Sequence, residues 1–383
     1  MIRILHLADL HLGYEPSLPS PWDQRVARER DGLLSRAVDL ALKQKVHMVV
    51  IAGDLFDHHR PAPGLVESVI RELRRLEKEG IRVITVPGNH DEITYHDSVY
   101  RQGSWPGFLV TNPHPQVVTC WEIEGQRCRI VSMAYVEGAT RINGLLDSFP
   151  AAEPGCLNLA VFHGSLDWEG GDRSLPLSGE ALARAGYHYV ALGHIHRGGE
   201  RRWPGGMALY AGMVAGKNFS DPGVGYWTLV CLGEGGPRVE RIPEKVSGWQ
   251  AEDIDLSAFS RPEEVEEAIG HKASSSGGLL QVRLTGSPPF FLSQEQIQRW
   301  EARWSREDAY LEIKDETRGW RWDFLEEWGK EPNIKGIFLR RLQERLEQAR
   351  DAEEREIIEL ALRKGVAALK EVEGKCRPSG GGI

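Results

Sequence analysis

The sequence predicts an α/β protein with a large layered domain, a smaller α/β unit and a pair of helices near the C-terminal end. Three observations lead to this fold class. Short apolar, β-rich runs alternate with amphipathic helical segments over the first 86 residues. Further apolar runs then follow one another with few helical segments between them. Beyond residue 252, a second and shorter succession of helices and strands begins.

The first part of the chain has the order β-α-β-α-β. Residues 2–8, 46–52 and 81–86 are apolar runs, and the middle one is typical of a strand that is buried on both faces of a sheet. Residues 22–45 and 65–79 lie between them and carry apolar side chains at the spacing of an amphipathic helix. This alternation predicts a layered α/β domain.

Later apolar runs predict the rest of the large domain. These strands are predicted at 129–134, 157–162, 188–192, 207–211, 224–232 and 239–242. Because the last three have no helices between them, we expect the second half of the domain to be more antiparallel. The domain should end near residue 247.

The remaining chain predicts three further segments. Residues 252–330 predict a small α/β unit, residues 334–373 two helices, and residues 374–383 a disordered tail. An apolar stripe lies on the first of the two helices: Phe338, Leu342 and Leu346. Such a stripe suits either docking into a partner's groove or packing on the protein's own small unit.

The small unit is rich in tryptophan. Five tryptophans fall within 29 residues: Trp300, Trp304, Trp320, Trp322 and Trp328. We interpret them as filling a small core or an interface, with stacking on unpaired bases as the alternative.

Composition excludes several classes of protein. With 41% hydrophobic and 27% charged residues, the chain is globular, neither disordered nor fibrous. No stretch approaches the ~20 apolar residues that span a bilayer, so we expect neither a membrane span nor a signal peptide. The five cysteines form no CxxC pair, which argues against a disulfide scaffold and favours a cytoplasmic location. The net charge of −9 means that any polyanion must be held by local positive charge, metal ions or a partner.

Polar side chains follow five of the predicted strands at the point where each strand ends. The clusters are Asp9-Leu10-His11, Gly53-Asp54-Leu55-Phe56-Asp57, Gly88-Asn89-His90-Asp91, His163-Gly164 and Gly193-His194-Ile195-His196. Because the carboxyl ends of strands meet at one edge of an open α/β sheet, these groups should converge. Two carboxylates, one amide and four imidazoles are therefore candidate metal ligands: Asp9, Asp54, Asn89, His11, His163, His194 and His196.

The types of ligand indicate which metals the site would bind. Imidazoles with carboxylates and an amide, and no thiolate, suit Mn²⁺, Fe²⁺ or Zn²⁺. Seven candidates suit two ions that share a bridging carboxylate, and Asp54 is the expected bridge because it follows the central strand. Two ions ~3.5–4 Å apart activate water and clamp the oxygens of a phosphoryl group. Each cluster alone is also typical of a loop start, a turn or a hydrogen-bonded histidine pair, and only their joint order favours a metal site.

These motifs resemble those of a known superfamily. In this order, DxH, GDxxD, GNHD, a single His and GHxH resemble the calcineurin-like metallophosphoesterases. The stretches at 11–15 (HLGYE), 52–57 (AGDLFD, with RP at 60–61) and 189–196 (YVALGHIH) resemble more closely the DNA double-strand-break-repair nucleases of the SbcD type. The resemblance covers residues 1–245, and beyond them it extends only to architecture.

The resemblance implies a fold and a domain order. It implies a four-layer αββα sandwich for a nuclease domain at 1–247, a small α/β capping domain at 252–330 and C-terminal helices. The helical hairpin at 334–373 would then dock on the root of a coiled-coil ABC-type ATPase of the SbcC type.

The resemblance also implies roles for individual residues. One metal would be held by Asp9, His11, Asp54 and His196, and the other by Asp54, Asn89, His163 and His194. His90 would be the catalytic histidine, with its tautomer held by Asp91, and would assist departure of the 3′ oxygen. The expected DNA contacts are Tyr14, Arg197, Arg201 and Lys217.

The sequence departs from the resembling nucleases at one position. Some archaeal relatives have a histidine directly after GDLF, whereas this chain has Asp57 followed by His58 and His59. His58 would substitute in contacting phosphate, or the two histidines are simply a solvent-exposed pair.

The function that the resemblance implies is narrower than the pattern alone supports. Residue types and spacing give a dimetal phosphoesterase. The resemblance implies an Mn²⁺-type nuclease with 3′-to-5′ exonuclease and single-strand endonuclease action in DNA repair, working as a homodimer. The alternatives are a small-molecule phosphodiesterase or phosphatase of the same superfamily, and a metal-bearing scaffold.

Overall fold

The computed structural model describes residues 1–136, 145–168, 174–233, 235–288, 290, 292–317 and 328–375. The chain divides into two compact units, Met1–Trp249 and Gln250–Ile383. Trp320, Trp322 and residues 376–383 of the predicted tail lie outside the described residues. None of the helices in the described ranges combines the length and hydrophobicity needed to cross a bilayer.

The first sheet of the large unit carries the N-terminal strands at its centre. Its strands are β1 (Ile2–Leu7), β2 (Met48–Ala52), β3 (Arg82–Val86), β4 (Phe108–Leu109), β13 (Tyr226–Gly233) and β14 (Gly236–Pro243), in the order β14-β13-β1-β2-β3-β4. The strands β1 to β4 are parallel, and β13 runs antiparallel to both of its neighbours. Every residue of β2 is buried, as its continuous apolar sequence predicts.

The second sheet also has six strands. They are β5 (Gln116–Ile123), β6 (Gln126–Ser132), β7 (Leu157–His163), β10 (Tyr189–Gly193), β11 (Gly199–Trp203) and β12 (Gly206–Tyr210), in the order β11-β12-β10-β7-β6-β5. The short strands β8 (Ser165–Leu166) and β9 (Pro176–Leu177) form a separate parallel pair.

The expectation of a more antiparallel second half is confirmed at β13 and β14 of the first sheet but is wrong for the interior of the second sheet. The strands β6, β7, β10 and β12 are parallel, and only the edge pairs β5–β6 and β11–β12 are antiparallel. A short helix, α4 (Gly179–Ala185), lies between β7 and β10 in sequence, and the edge strand β11 returns the chain from β10 to β12. Both connections allow parallel pairing, and neither is visible in the apolar runs.

Four layers result from the way these sheets pack. Tyr189 and Ala191 of β10 join the core shared with the first sheet. Val190 and Leu192 alternate with them and join a second core with Leu182 of α4. Helices α1 (Trp22–Asp31), α2 (Leu33–Lys43) and α3 (Pro63–Lys78) belong to the first-sheet half. The predicted αββα sandwich is confirmed.

The smaller unit has its own sheet and core. The strands β15 (Trp249–Asp255), β16 (Leu279–Thr285) and β17 (Tyr310–Asp315) form a sheet in that order, with helices α5 (Pro262–Ser276) and α6 (Gln294–Trp304). Trp300 is buried in the core of this unit and Trp304 packs against it. These two tryptophans therefore have the core role that we favoured.

The two C-terminal helices pack on one another through a small apolar cluster. Helix α7 (Ile334–Glu347) and helix α8 (Ala352–Lys375) meet around Leu339, Leu362 and Val366. Phe338 and Leu342 pack against the same cluster, so two of the three stripe residues are used within the hairpin, which neither of the two expected alternatives described. Among the side chains of these helices whose burial is described, Ile334, Ile337, Ile357 and Leu360 are large, apolar and exposed.

Candidate metal centre

Loops from both sheets meet at the carboxyl ends of β1, β2, β3, β7 and β10. The backbone N–H of Asp9 donates to the carbonyl of Gly53 at 3.1 Å, and that of His11 donates to the carbonyl of Asp54 at 3.0 Å. These bonds hold the loop after β1 against the loop after β2. The first two candidate ligand clusters are therefore fixed to one another by backbone alone.

The backbone at the candidate ligands is unusual. Four of them have φ between 46° and 97°, a left-handed region that residues other than glycine rarely adopt: Asp9, His11, Asp54 and His194. Such conformations persist only where surrounding structure enforces them, and they concentrate at functional sites. The described chain holds this strain at four of the seven side chains that we predicted as ligands.

Two glycines of the motifs are required by close packing. A β-carbon at Gly53 would collide with the ring of His163, and one at Gly193 would collide with the carbonyl oxygen of Ala52. Gly53 also has a φ of 89°, which suits glycine best. The glycines before Asp54 and His194 therefore let the two sheets approach closely enough for their loops to share one centre.

One group of candidate ligands gathers around Asn89. The amide oxygen of Asn89 lies 2.9 Å from His163 Nε2 and 3.0 Å from His194 Nδ1. The carboxylate oxygen Asp54 Oδ2 lies 3.4 Å from the same His163 Nε2. These are the four side chains that the resemblance assigns to one metal.

The second group lies on the other side of Asp54. The Nε2 atoms of His11 and His196 face one another at 3.1 Å, and His11 Nε2 lies 3.8 Å from Asp54 Oδ2. Asp9, His11 and His196 each place one ligand atom within 4.8 Å of the others. The same oxygen of Asp54 therefore lies near a histidine of each group, as expected of a bridging carboxylate.

Burial controls the protonation of the imidazoles. It lowers the pKa of His11 to about 4 and that of His194 to about 3, so both rings are neutral at pH 7 and each has one nitrogen lone pair. Burial also acts to lower the pKa of His163, but the carboxylates of Asp54 and Asp9 outweigh it and raise this pKa to about 9.

The carboxylates give the centre negative charge, which a proton on His163 partly balances. Burial acts to raise the pKa of Asp54, but the charge and hydrogen bond of His163 outweigh it and hold this pKa well below its ordinary value. Burial raises the pKa of Asp9 to about 6. The environment that holds a proton on His163 would equally hold a divalent cation, and neutral imidazole and amide donors already surround that position. The donor set therefore fits the two cations predicted from sequence.

Two further carboxylates lie behind the histidines. Asp57 Oδ1 is 3.1 Å from His11 Nδ1, and Asp221 accepts a short hydrogen bond from His196 Nδ1. Although burial acts to lower the pKa of His196, the bond to Asp221 raises it. Both partners leave Nε2 of the ring facing the centre. Sequence reasoning missed Asp221 because only the loop between β12 and β13 brings it to His196.

Two positively charged side chains near the centre, Lys217 and Arg30, already have partners. Lys217 Nζ lies 2.7 Å from Asp57 Oδ1 and 4.6 Å above the ring of Tyr14, and only 13% of its side chain is exposed. Arg30 lies 5.2 Å from the same ring and donates to the carbonyls of Leu10, Ala215 and Gly216. Of the predicted DNA contacts, Tyr14 and Lys217 are thus committed to structure around Asp57. Arg30, which sequence reasoning missed, ties the loop after β1 to the loop after β12 through these bonds.

The other two predicted DNA contacts lie after His196. Arg197 is exposed and directly follows this ligand candidate in the chain. Arg201 lies on β11 and forms an ion pair with Asp167. Of the two, Arg197 offers a cation beside the centre, whereas the charge of Arg201 is neutralised.

The ring of His90 is positioned by backbone groups. The backbone N–H of His90 donates to Asp54 Oδ1 at 2.9 Å. The ring atom Nδ1 lies 3.0 Å from the backbone carbonyl oxygen of Asp57. A carbonyl oxygen only accepts, so Nδ1 carries the proton of this bond and Nε2 is left to the solvent side. The side chain is 38% exposed. His90 is thus the accessible histidine of the centre.

The expected partnership of Asp91 with His90 is wrong. The carboxylate of Asp91 accepts from the backbone N–H groups of Gly88 and Phe56 and from the hydroxyl of Tyr100, at 2.7, 3.2 and 2.6 Å. Asp91 is fully buried, and burial raises its pKa to about 6. It ties the loop after β3 to the loop after β2, and the Asp57 carbonyl orients His90 in its place.

Comparison with known proteins agrees with this geometry. The family model described as calcineurin-like phosphoesterase matches residues 2–198, just over half of the chain. The chain belongs to the calcineurin-like phosphoesterase family. This phosphoesterase is 24% identical to the metallophosphoesterase YhaO of Bacillus subtilis over 339 residues, which cover 82% of each chain.

Two other similarities extend over part of the molecule. The phosphoesterase is 36% identical over 93 residues to the DNA double-strand break repair protein Mre11 of Saccharolobus solfataricus, covering 24% of this chain and 23% of Mre11. A dimetal phosphatase from Danio rerio has a similar structure, with a TM-score of 0.37 and 14% identity, over 64% of this chain and 99% of its own.

Replacing Asp54 tests the shared position between the two groups. We expect Asp54→Asn to lose both bound cations as well as hydrolytic activity, because a neutral amide cannot supply the charge that both groups face. Elemental analysis of the purified variant measures the metal content. Asp39→Asn, at an exposed site on α2, is the matched control and should keep its metal. Retention of two ions by Asp54→Asn would contradict a bridging position.

Replacing Asp221 tests the carboxylate behind His196. We expect Asp221→Asn to weaken Mn²⁺ binding about 10- to 100-fold, because His196 loses the charged acceptor that orients its ring. Titration calorimetry with Mn²⁺ measures the change. Asp253→Asn, whose partner is the surface residue Arg283, serves as control. An unaltered Mn²⁺ isotherm for Asp221→Asn would show that the bond is dispensable.

Proposed function

We propose that this phosphoesterase is a two-metal DNA nuclease of the Mn²⁺ type that acts in DNA repair. The observation that carries the proposal is the position of Asp54 Oδ2, 3.4 Å from His163 Nε2 and 3.8 Å from His11 Nε2. One carboxylate between two groups of ligands suits a pair of cations, and such pairs catalyse in-line displacement at phosphorus. The partial similarity to Mre11 supports DNA as the substrate.

The ligand assignment follows the two groups around Asp54. The first ion would be held by Asp9, His11, Asp54 and His196, and the second by Asp54, Asn89, His163 and His194. Bound there, two divalent cations would supply Lewis acidity toward a phosphodiester and activate water. Asp57 and Asp221 keep the rings of His11 and His196 turned toward the ions.

His90 is the residue assigned to the leaving group. The Asp57 carbonyl fixes the proton on Nδ1, so Nε2 is the atom that faces a substrate. A protonated Nε2 would donate to the 3′ oxygen as the phosphorus–oxygen bond breaks. Because the N–H of His90 is held by Asp54, the same carboxylate positions both the ions and the acid.

DNA binding by an acidic chain requires help from a partner. The net charge of −9 disfavours the binding of a polyanion, and two of the candidate phosphate contacts, Lys217 and Arg201, are already paired with carboxylates. An ABC-type ATPase of the SbcC kind and a second copy of the chain are the proposed partners, in the cytoplasm. The exposed Ile334 and Ile337 of α7 support docking of the hairpin on such a coiled coil.

The proposed activities are 3′-to-5′ exonuclease action on duplex ends and endonuclease action on single strands. The alternative is a small-molecule phosphodiesterase with the same centre. It requires the same centre, and the relative that matches 82% of the chain is named only as a metallophosphoesterase.

Relative turnover of two substrates separates these functions. In Mn²⁺, we expect linear duplex DNA to be degraded with a kcat/KM well above that for bis-p-nitrophenyl phosphate, because a nuclease uses contacts beyond the scissile phosphate. Gel assays with 3′- and 5′-labelled strands measure the rate and the direction. Hydrolysis of the small diester with no degradation of DNA would favour the alternative.

The role of His90 is tested by a variant that leaves the ligands intact. We expect His90→Gln to lower kcat on DNA about 10²- to 10⁴-fold while two ions stay bound, because only the proton donor is removed. Rapid-quench kinetics and elemental analysis measure both properties. His114→Gln, at an exposed position before β5, is the matched control. Full activity of His90→Gln with metal bound would mean that another group serves the leaving oxygen.

A further inference from the structure

Three aromatic rings form a column at the surface beside the metal centre. The rings of His58 and His59 have centroids 4.1 Å apart at an angle of 32°. The ring of Tyr95 lies on the other face of His59, with centroids 4.0 Å apart and only 16° between the planes. His59 is thus the middle ring, and the column has two outer faces.

Polar contacts hold the two histidine rings of the column. The backbone N–H of Arg60 donates to His58 Nδ1 at 3.1 Å, and His59 Nε2 lies 3.5 Å from the carboxylate of Asp97. The backbone carbonyl of Tyr95 accepts from the N–H of Ser98 at 3.0 Å, which fixes the chain that carries the third ring. A ligand that stacks on the column therefore meets histidine rings that already have partners, which lowers the cost of ordering them.

The column is open to solvent at both ends. Tyr95 is 39% exposed, and His58 is exposed as well. Neither ring belongs to the hydrophobic cores of the described chain. The guanidinium of Arg60, 68% exposed, lies beside the column and shares Asp97 with His59. Because Arg60 is paired with Asp97, the column offers flat ring faces rather than free positive charge, and such faces suit the planar base of a nucleotide.

The position of the column connects it to the cleavage chemistry. His58 directly follows Asp57, whose carbonyl holds the ring of His90 at 3.0 Å. Tyr95 follows His90 by five residues on the loop after β3. Both loops that carry the column therefore also carry the residues assigned to the leaving group. A base bound on the column would therefore be held by the same two loops that position His90.

We infer that the column of His58, His59 and Tyr95 is a stacking platform for an unpaired base of the DNA strand being cut. This inference rests on the nuclease function proposed above and adds which form of DNA the site prefers. A paired base has its faces covered by neighbours in the duplex, whereas a frayed or single-stranded base offers a free face. The platform thus selects strands whose bases are unpaired next to the scissile phosphate.

The test compares a normal single-stranded oligonucleotide with one that carries abasic residues around the cleavage position. We expect Tyr95→Ala to raise the KM for the normal strand about 10-fold, since one stacking partner is lost. Wild type and Tyr95→Ala should have the same KM for the abasic strand, which has no base to stack. Tyr95→Phe should restore the wild-type value on the normal strand.

A binding measurement without turnover provides a second readout. We expect 2-aminopurine at the same position to lose fluorescence when the strand binds wild-type protein in EDTA, and to stay bright with Tyr95→Ala. Equal KM increases on both strands, or unchanged KM and quenching in Tyr95→Ala, would overturn the platform. Failure of the wild type to cut any oligonucleotide, with bis-p-nitrophenyl phosphate still hydrolysed, would instead overturn the nuclease function and the platform with it.

Discussion

The buried carboxylate of Asp54 is the group around which the rest of the centre is arranged. Removing a carboxylate from water costs a free energy on the order of several kcal/mol, unless positive charges and hydrogen-bond donors surround it. Here His163 of the second sheet, His11 of the β1 loop and the N–H of His90 surround it. The loops after β1 and β3 and the end of β7 therefore all contact this one carboxylate and stabilise its negative charge.

A second layer of acceptors lies behind the histidines that surround Asp54. Three of the histidines that face the centre have an acceptor behind them, an Ala52 carbonyl for His163 and a carboxylate for His11 and for His196. Lys217 in turn balances Asp57, the carboxylate behind His11. These outer contacts fix the orientation of the three rings, and Arg197 is an exposed cation beside them.

The parts of this molecule that are local in sequence could be predicted, and the parts that depend on distant contacts could not. Apolar runs that end in Asp54 or His163 predict both a buried strand and a ligand candidate, because the strand end fixes where the side chain lies. The parallel pairing of β10 with β12 depends on how the chain returns through an edge strand. The partners of His90 and His196 come from residues 33 and 25 positions away, and no spacing rule encodes such contacts.

The left-handed backbone at Asp9, His11, Asp54 and His194 has a consequence for the choice of ion. Residues in this conformation are held by the surrounding fold, so the positions of these ligands are set before any cation enters. Mixed nitrogen and oxygen donors suit Mn²⁺, Fe²⁺ and Zn²⁺ alike, so the donor set alone does not separate manganese from the other two. Selection then passes from the protein to the cell, whose free concentrations of each ion decide which enzyme is assembled.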